Sequence, residues 1–368
     1  MKGKSLTMLA VGDIFLEVSE GEFYLSLVAP VLRSGDVVAG QGEVVFTSRG
    51  VDTFPEFFPS PGCPPSNMGA LAAAGFNVIT LAGNHVWDRG APGIEDSITG
   101  LKSYGIAVTG AGMNINEART PAIIERNGTR FGFLNYNCVG VKQQWATLAK
   151  PGCAYVNIIA HYEMNGSDPG GPPDVYTFAE PRSLKAMEDD IRKLRPLCDI
   201  LAVAFHMGIL HSPDIAMYEQ QVSYAAIDAG ADLVMGHHAH YLKGVEMYKG
   251  KAIFHGVGQF APAGKGLPEE RRKDRLSLAA PKVSVGYHQQ DTAGLRTMIA
   301  KCIIDDGKIT QIGYLPCLIN AQKQPEVLKN DERGRQAFEF MDKITKGAGL
   351  NTRYAWEGDE IVIRADQT

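Results

Sequence analysis

What this chain lacks narrows its reading before any motif is considered. Its six cysteines, Cys63, Cys138, Cys153, Cys198, Cys302 and Cys317, are scattered and form no Cys-x-x-Cys pair. That spacing argues against a thiolate zinc site and against a disulfide scaffold. No stretch approaches the roughly 18 apolar residues that span a membrane. The basic start, Met1-Lys2-Gly3-Lys4-Ser5, is too short for a secretion signal. A cytoplasmic location without a membrane span is the expectation. Charge of one sign is also missing: 36 Lys and Arg against 41 Asp and Glu leave a net charge of -5. That balance offers no electrostatic footprint for DNA or RNA. The one dense basic run, Glu269 to Arg275, alternates with acids and reads as a solvated loop or helix face. No internal repeat is evident.

Short apolar runs alternating with amphipathic stretches are what the chain does have. Thr7 to Val11 is followed by a helical stretch Phe23 to Leu32, and Asn77 to Leu81 by Gly93 to Tyr104 and then Ile106 to Val108. The rhythm returns with a helix near Ser183 to Leu194, a strand Ile200 to Phe205, a helix Ala216 to Ala229 and a strand running into Gly236. Such βα units imply a sheet with helices outside it. Two hairpins are expected where Asn127-Gly128 and Asp306-Gly307 each separate a pair of apolar runs. The pattern predicts an α/β fold with two packed sheets between helices. It lapses over residues 138–179, which read as an inserted, substrate-facing loop whose aromatics (Trp145, Tyr155, Tyr162, Tyr176, Phe178) call for packing. Residues 331–368 add one amphipathic helix, Arg333 to Lys346, and a strand, Ile361 to Ile363, packed on the same domain as residues 1–330.

Chemistry concentrates where apolar runs end. Ala231 to Met235 runs into Gly236-His237-His238-Ala239-His240, which holds three of the nine histidines. In an extended segment His238 and His240 point the same way, so two imidazoles can close on one pocket. Four other runs end similarly: Gly12-Asp13, Gly42-Glu43, Gly83-Asn84-His85 with Asp88 three residues on, and Phe205-His206. In an open α/β sheet the strand carboxyl ends converge on one edge, so these side chains can meet. The set has carboxylates, an amide oxygen and imidazoles but no thiolate. It suits manganese, zinc or iron(II) and can hold two divalent ions when a carboxylate bridges, with single occupancy as the alternative. His85, held by Asp88, fits an imidazolium acid or transition-state stabiliser rather than a ligand.

In their order these motifs, with His206-Met207-Gly208 and Phe254-His255-Gly256-Val257-Gly258-Gln259-Phe260, resemble the CapA-like proteins. These form the poly-gamma-glutamate capsule biosynthesis branch of the calcineurin-like metallophosphoesterase superfamily. The resemblance implies a β-sandwich flanked by helices, four layers in the order α/β/β/α, with metals at one edge. It also implies roles: Asp13 and Glu43 as first-metal and bridging carboxylates, Asn84, His206 and His238 as second-metal ligands, and His240 returning to the first metal. His85 matches the histidine that contacts the scissile group. The family pattern leaves open whether His237 or His238 is the first ligand of the loop, and the two-residue spacing to His240 favours His238.

The chain departs from that pattern at several points. Phosphoesterases usually begin Asp-x-His, whereas Gly12-Asp13-Ile14-Phe15 leaves the first metal one ligand short. Gln41 and Gln259 stand where an Asn is usual, Met207 replaces Trp, and His255 replaces a Ser or Tyr. His255 is then either a general acid/base or a hydrogen-bond partner behind the ligands. Arg89 is the only clear phosphate-binding candidate near the motifs. The expected activity is hydrolysis by a metal-activated water, of an amide or peptide-like (polyglutamate-related) substrate ahead of a phosphoester. The alternatives are a non-hydrolytic component of polyglutamate synthesis or export, and a peptide epimerase exchanging a proton through Asp13 and His255.

Overall fold

The computed structural model describes residues 5–54, 60–164, 173–264 and 292–366. Strands β1 (Leu6–Phe15), β2 (Val37–Gly42), β3 (Val78–Thr80) and β4 (Ala107–Thr109) lie side by side in that order, all parallel. On the other side of β1 the sheet continues antiparallel through Arg296–Asp305, Lys308–Ile319, Glu360–Ala365 and Thr352–Glu357. A second sheet has six strands in the order Val245–Tyr248, Lys251–Phe254, Leu233–His238, Ile200–Met207, Thr129–Asn137 and Ala122–Arg126. Its four middle strands are parallel.

Both central sheets are buried on two faces, which is why their strands are almost uninterruptedly apolar. Met8, Ala10, Ala39 and Val78 of the first sheet meet Phe131, Phe133, Ala202, Leu233 and Met235 of the second in one shared core. The alternate residues Leu9, Val11, Val38 and Ile79 pack outward on Leu25, Leu32, Leu71, Ile94 and Leu101 of helical segments. On the far side Leu134, Leu201, Val203 and Val234 cover Met187, Ile191, Leu194 and Val222. The result is the expected four-layer α/β/β/α sandwich. The helix Pro181–Leu194 illustrates the local logic: Pro181 occupies its first turn, Glu180 caps it by accepting from the Ser183 N–H at 2.9 Å, and Met187, Ile191 and Leu194 form its buried stripe.

Both Asn-Gly and Asp-Gly hairpins form, with left-handed backbone at Asn127 (φ 50°) and Asp306 (φ 48°) as two-residue turns require. The stretch expected as one helix over Phe23 to Leu32 is instead two short helices, Gly21–Leu25 and Ala29–Leu32. Pro30 has no N–H to donate into a preceding turn, and it sits at the second helix's start. The tail strand has a partner that periodicity did not expose, Thr352–Glu357.

Within 138–179, Trp145 stacks on Tyr155 with ring centroids 4.1 Å apart, as its aromatics led one to expect. The hairpin Ile158–Glu163 with Asp174–Ala179 departs from that expectation, because Tyr162, Tyr176 and Phe178 are exposed. Residues 165–172 of the insertion and the basic run Glu269 to Arg275 lie outside the described residues. Among the described residues no helix is long and apolar enough to cross a membrane.

Two glycines let the sheets close at the edge where the parallel strands end. A Cβ at Gly12 would lie 1.8 Å from the Gly258 carbonyl oxygen, and one at Gly236 would lie 2.1 Å from that of His255. Only glycine permits these backbone approaches.

Candidate metal centre

Asp13 lies near the end of β1, where register shifts against both neighbouring strands flank it. Such an irregularity re-aims a side chain. The Asp13 carboxylate turns to the second sheet and accepts the His238 backbone N–H at 2.9 Å through Oδ2. Glu43 directly follows β2, and its Oε1 lies 2.8 Å from His240 Nε2, which is itself 3.9 Å from Asp13 Oδ2. Ligand atoms of Asp13, Glu43 and His240 all lie within 4.8 Å of one another. This trio could hold a metal ion.

A second group grows from β3 and the Ile200–Met207 strand. Asn84, in the turn after β3, places Oδ1 2.7 Å from His206 Nε2. The His206 and His238 rings lie 4.9 Å apart, and those of His238 and His240 lie 6.3 Å apart. The alternation expected to align His238 with His240 stops at the strand end: both take left-handed backbone, φ 82° and 50°. Their convergence is therefore the work of a strained turn, a common site for functional residues. His237 pairs in register with His206 and faces the space between the sheets, where it lines a cavity of about 20 Å³. Its Nδ1 lies 3.9 Å from Asp13 Oδ1.

The remaining candidates separate. His85 Nδ1 lies 2.6 Å from Asp88 Oδ2, with Asp88 buried behind it. Burial lowers the His85 pKa, but the bond to Asp88 and the charges of Asp88 and Glu43 outweigh it and raise the net value above 6.5. His255 is fully buried: Nε2 lies 2.9 Å from Glu246 Oε2, and Nδ1 has no hydrogen-bond partner among the described residues. Glu246 in turn accepts from the Tyr224 hydroxyl. Arg89 donates to the carbonyls of Arg49 and Gly50 at 3.3 and 2.5 Å. Gln41 fastens β2 to β3, accepting from Thr80 Oγ1 at 2.7 Å and donating to the Ala82 carbonyl at 3.2 Å, while Gln259 donates to Gly294. Both glutamines are thus accounted for by backbone and hydroxyl partners.

The donors fit divalent cations on this structure's own terms. Among the described residues, Asp13 Oδ1, Glu43 Oε2 and the Nδ1 atoms of His206, His237 and His238 are buried without a hydrogen-bond partner. Orphaned buried polar atoms are rare and costly. The His206 and His237 Nδ1 atoms lie 3.7 and 3.9 Å from Asp13 Oδ1. Burial, then repulsion from Glu43, pushes Asp13 up to about 8. Burial also disfavours Glu43 ionisation, yet the adjacent His240 holds Glu43 down at about 2 and is itself raised to about 9. Burial holds His237 and His238 at about 4 and about 3, the neutral form a metal ligand needs.

Two features escaped the motif reading. His211 lies on the loop after His206, with its ring 6.0 Å from that of His240 and its N–H donating 2.7 Å to the Ala239 carbonyl. Lys243, three residues after His240, is fully buried and donates to both carboxylate oxygens of buried Glu219 at 2.8 and 2.9 Å and to the Asp214 carbonyl at 2.6 Å. No sequence periodicity flags either residue, since both act from irregular loops.

The four-layer sandwich gathers carboxylates, an amide and imidazoles at its strand ends. The chain belongs to the bacterial capsule synthesis protein (PGA_cap) family, whose model matches residues 7–263. Capsule biosynthesis protein CapA of Bacillus anthracis is 27% identical over 269 residues, covering 70% of this chain and 60% of that protein. PGA biosynthesis protein CapA of Bacillus subtilis (strain 168) is 25% identical over 261 residues, covering 68% and 61%. The chain thus spans about three fifths of the length of these two relatives. Among solved structures, a hypothetical protein from Thermus thermophilus is similar with a TM-score of 0.49 and 17% identity, over 84% of this chain and 98% of that one. A putative 5′-nucleotidase from Staphylococcus aureus has a TM-score of 0.48 and 12% identity, over 92% and 58%.

Proposed function

We propose that this chain is a metal-dependent hydrolase of an amide bond in a peptide-like, glutamate-derived substrate. The observation that carries the proposal is the group of buried, unpartnered ligand atoms around Asp13. In this reading Asp13, Glu43 and His240 would hold one cation position, and Asn84, His206 and His238 would hold the other. His237 lies behind them, against Asp13. Divalent cations held there would polarise the scissile carbonyl and lower the pKa of a water towards neutrality.

The protein's own groups supply the rest. His85, fixed by Asp88 and with its pKa raised against burial by that bond, would give a proton to the leaving nitrogen. A phosphoester would be better held with an arginine or lysine beside the centre. Arg89, the clearest such group, is committed to backbone carbonyls. That supports an amide over a phosphoester substrate. A part in building or exporting the polymer is the competing reading, favoured by the names of the capsule-biosynthesis relatives. Epimerisation through Asp13 and His255 loses support, because neither His255 ring nitrogen bonds a member of the centre.

The deciding experiment loads the purified protein with Mn²⁺ and offers it γ-glutamyl oligomers and bis-p-nitrophenyl phosphate in parallel. Metal-dependent release of shorter glutamyl chains is the expected result. Efficient cleavage of the phosphodiester alone would overturn the substrate class. Metal uptake with no turnover of either would favour the polymer-assembly role.

A further inference from the structure

The trio of Asp13, Glu43 and His240 is one protein ligand short of a closed tetrahedral set. The position two residues after Asp13, where an Asp-x-His pattern would supply an imidazole, carries Phe15. Its ring sits edge-on to His85 with centroids 6.4 Å apart. We propose that His211 supplies the imidazole that the Asp13 segment lacks, completing the first cation position beside Asp13, Glu43 and His240. This rests on the reading of the centre as a metal site.

Three independent observations converge on His211. Its backbone is left-handed at φ 57°, a conformation that a non-glycine residue adopts at a cost and that recurs at ligand clamps. The N–H of His211 donates to the carbonyl of Ala239, the residue between His238 and His240, so the two loops are locked together where their imidazoles emerge. Its ring meets that of His240 edge to face at 6.0 Å, and it interacts electrostatically with Glu43 as well as with His240. The residue is exposed, so an ion arriving from solvent can reach its ring. The buried Lys243–Glu219 pair beneath it fixes the same two loops, through the Asp214 carbonyl on one side and the chain following His240 on the other. An imidazole presented on a backbone held to the His240 loop is suited to closing a coordination set.

The test is Mn²⁺ titration by calorimetry on the full chain stripped with chelator, with the visible spectrum of Co²⁺-loaded protein as a report on ligand number. His211→Gly is the informative variant, because glycine keeps the left-handed backbone and removes only the imidazole. The wild type should take up two equivalents. His211→Gly should weaken one of them by roughly tenfold or more while leaving the other unchanged. Its Co²⁺ spectrum should shift, and His211→Asp, which returns a ligand oxygen, should recover much of the affinity. Asn84→Ala should weaken the other equivalent instead. Unchanged isotherms and spectra in His211→Gly would overturn the assignment of His211 while leaving the metal centre standing. A wild type that binds neither ion would overturn both. An apo melting temperature equal to that of the wild type shows that the variant is folded.

Discussion

His240 Nε2 lies 2.8 Å from Glu43 Oε1, joining a loop of the second sheet to the end of a strand in the first. Asp13 does the same by accepting the His238 N–H. The centre therefore draws its donors from both halves of the sandwich, and the first prediction concerns stability. Stripped protein given Mn²⁺ at a hundred times the Kd should gain about 2.7 kcal/mol for each ion bound, read as a rise in melting temperature. Asp13→Asn removes a carboxylate that burial and Glu43 both disfavour as an anion. That variant should melt above the wild type when both are metal-free, and should lose most of the increment with Mn²⁺. An apo Asp13→Asn less stable than apo wild type would contradict the electrostatic account.

His85 and Asp88 should be separable from ion binding. Asp88→Asn and His85→Gln are expected to keep the full metal content by elemental analysis while kcat falls by about a hundredfold, with KM little changed. Loss of metal in either variant would place the pair among the ligands instead.

The Lys243–Glu219 pair is fully buried, so breaking it from one side strands a charge. Lys243→Met should cost about 3–5 kcal/mol in urea unfolding. The double change Lys243→Met with Glu219→Gln should recover most of that. Equal stability of the single and double variants would refute the pairing argument.

Asp232 governs an acid limb of stability. It sits at the base of the histidine-loop strand, where Oδ2 accepts from Arg195 at 2.6 Å and from the Leu201 N–H at 3.0 Å, and Oδ1 accepts from Lys251 at 2.6 Å. Burial raises its pKa, but these donors outweigh it and hold the net value below 3.8. A depressed folded pKa means that the contribution is fully present above pH 3.8 and is lost as pH falls through the folded value. Asp232→Asn should therefore cost about 1–2 kcal/mol at pH 7, allowing for solvent screening. The difference from wild type should shrink on acidification below pH 3.8. A pH-independent gap would sink this reading.

Much of the layout was legible because strand ends announce themselves. Apolar runs stopping at Gly12-Asp13, Gly42-Glu43 and Gly83-Asn84 marked the edge where these side chains gather, and Asn127-Gly128 marked its hairpin by turn chemistry alone. The convergence of His238 and His240 was anticipated for the wrong reason. Strand alternation was invoked, yet two left-handed residues do the work, and backbone of that kind has no periodic signature. His255 looked like a site residue through its neighbours in sequence, but its partner Glu246 comes from an antiparallel edge strand whose pairing no local pattern reveals. His211 and Lys243 stayed hidden because their partners lie on other elements, far along the chain from each of them.

The sandwich interior has a bearing on ion choice. Asp13, Glu43 and Asn84 ride on one sheet, His206, His238 and His240 on the other, and the distance between the two groups is set by how Met8, Ala10 and Ala39 seat against Phe133, Ala202 and Met235. Close-packed interiors transmit such spacing faithfully. If the edge holds the proposed ions, side chains that never meet substrate would act as a gauge block for ionic radius, and a methylene gained or lost between the sheets would change which cation the edge grips best.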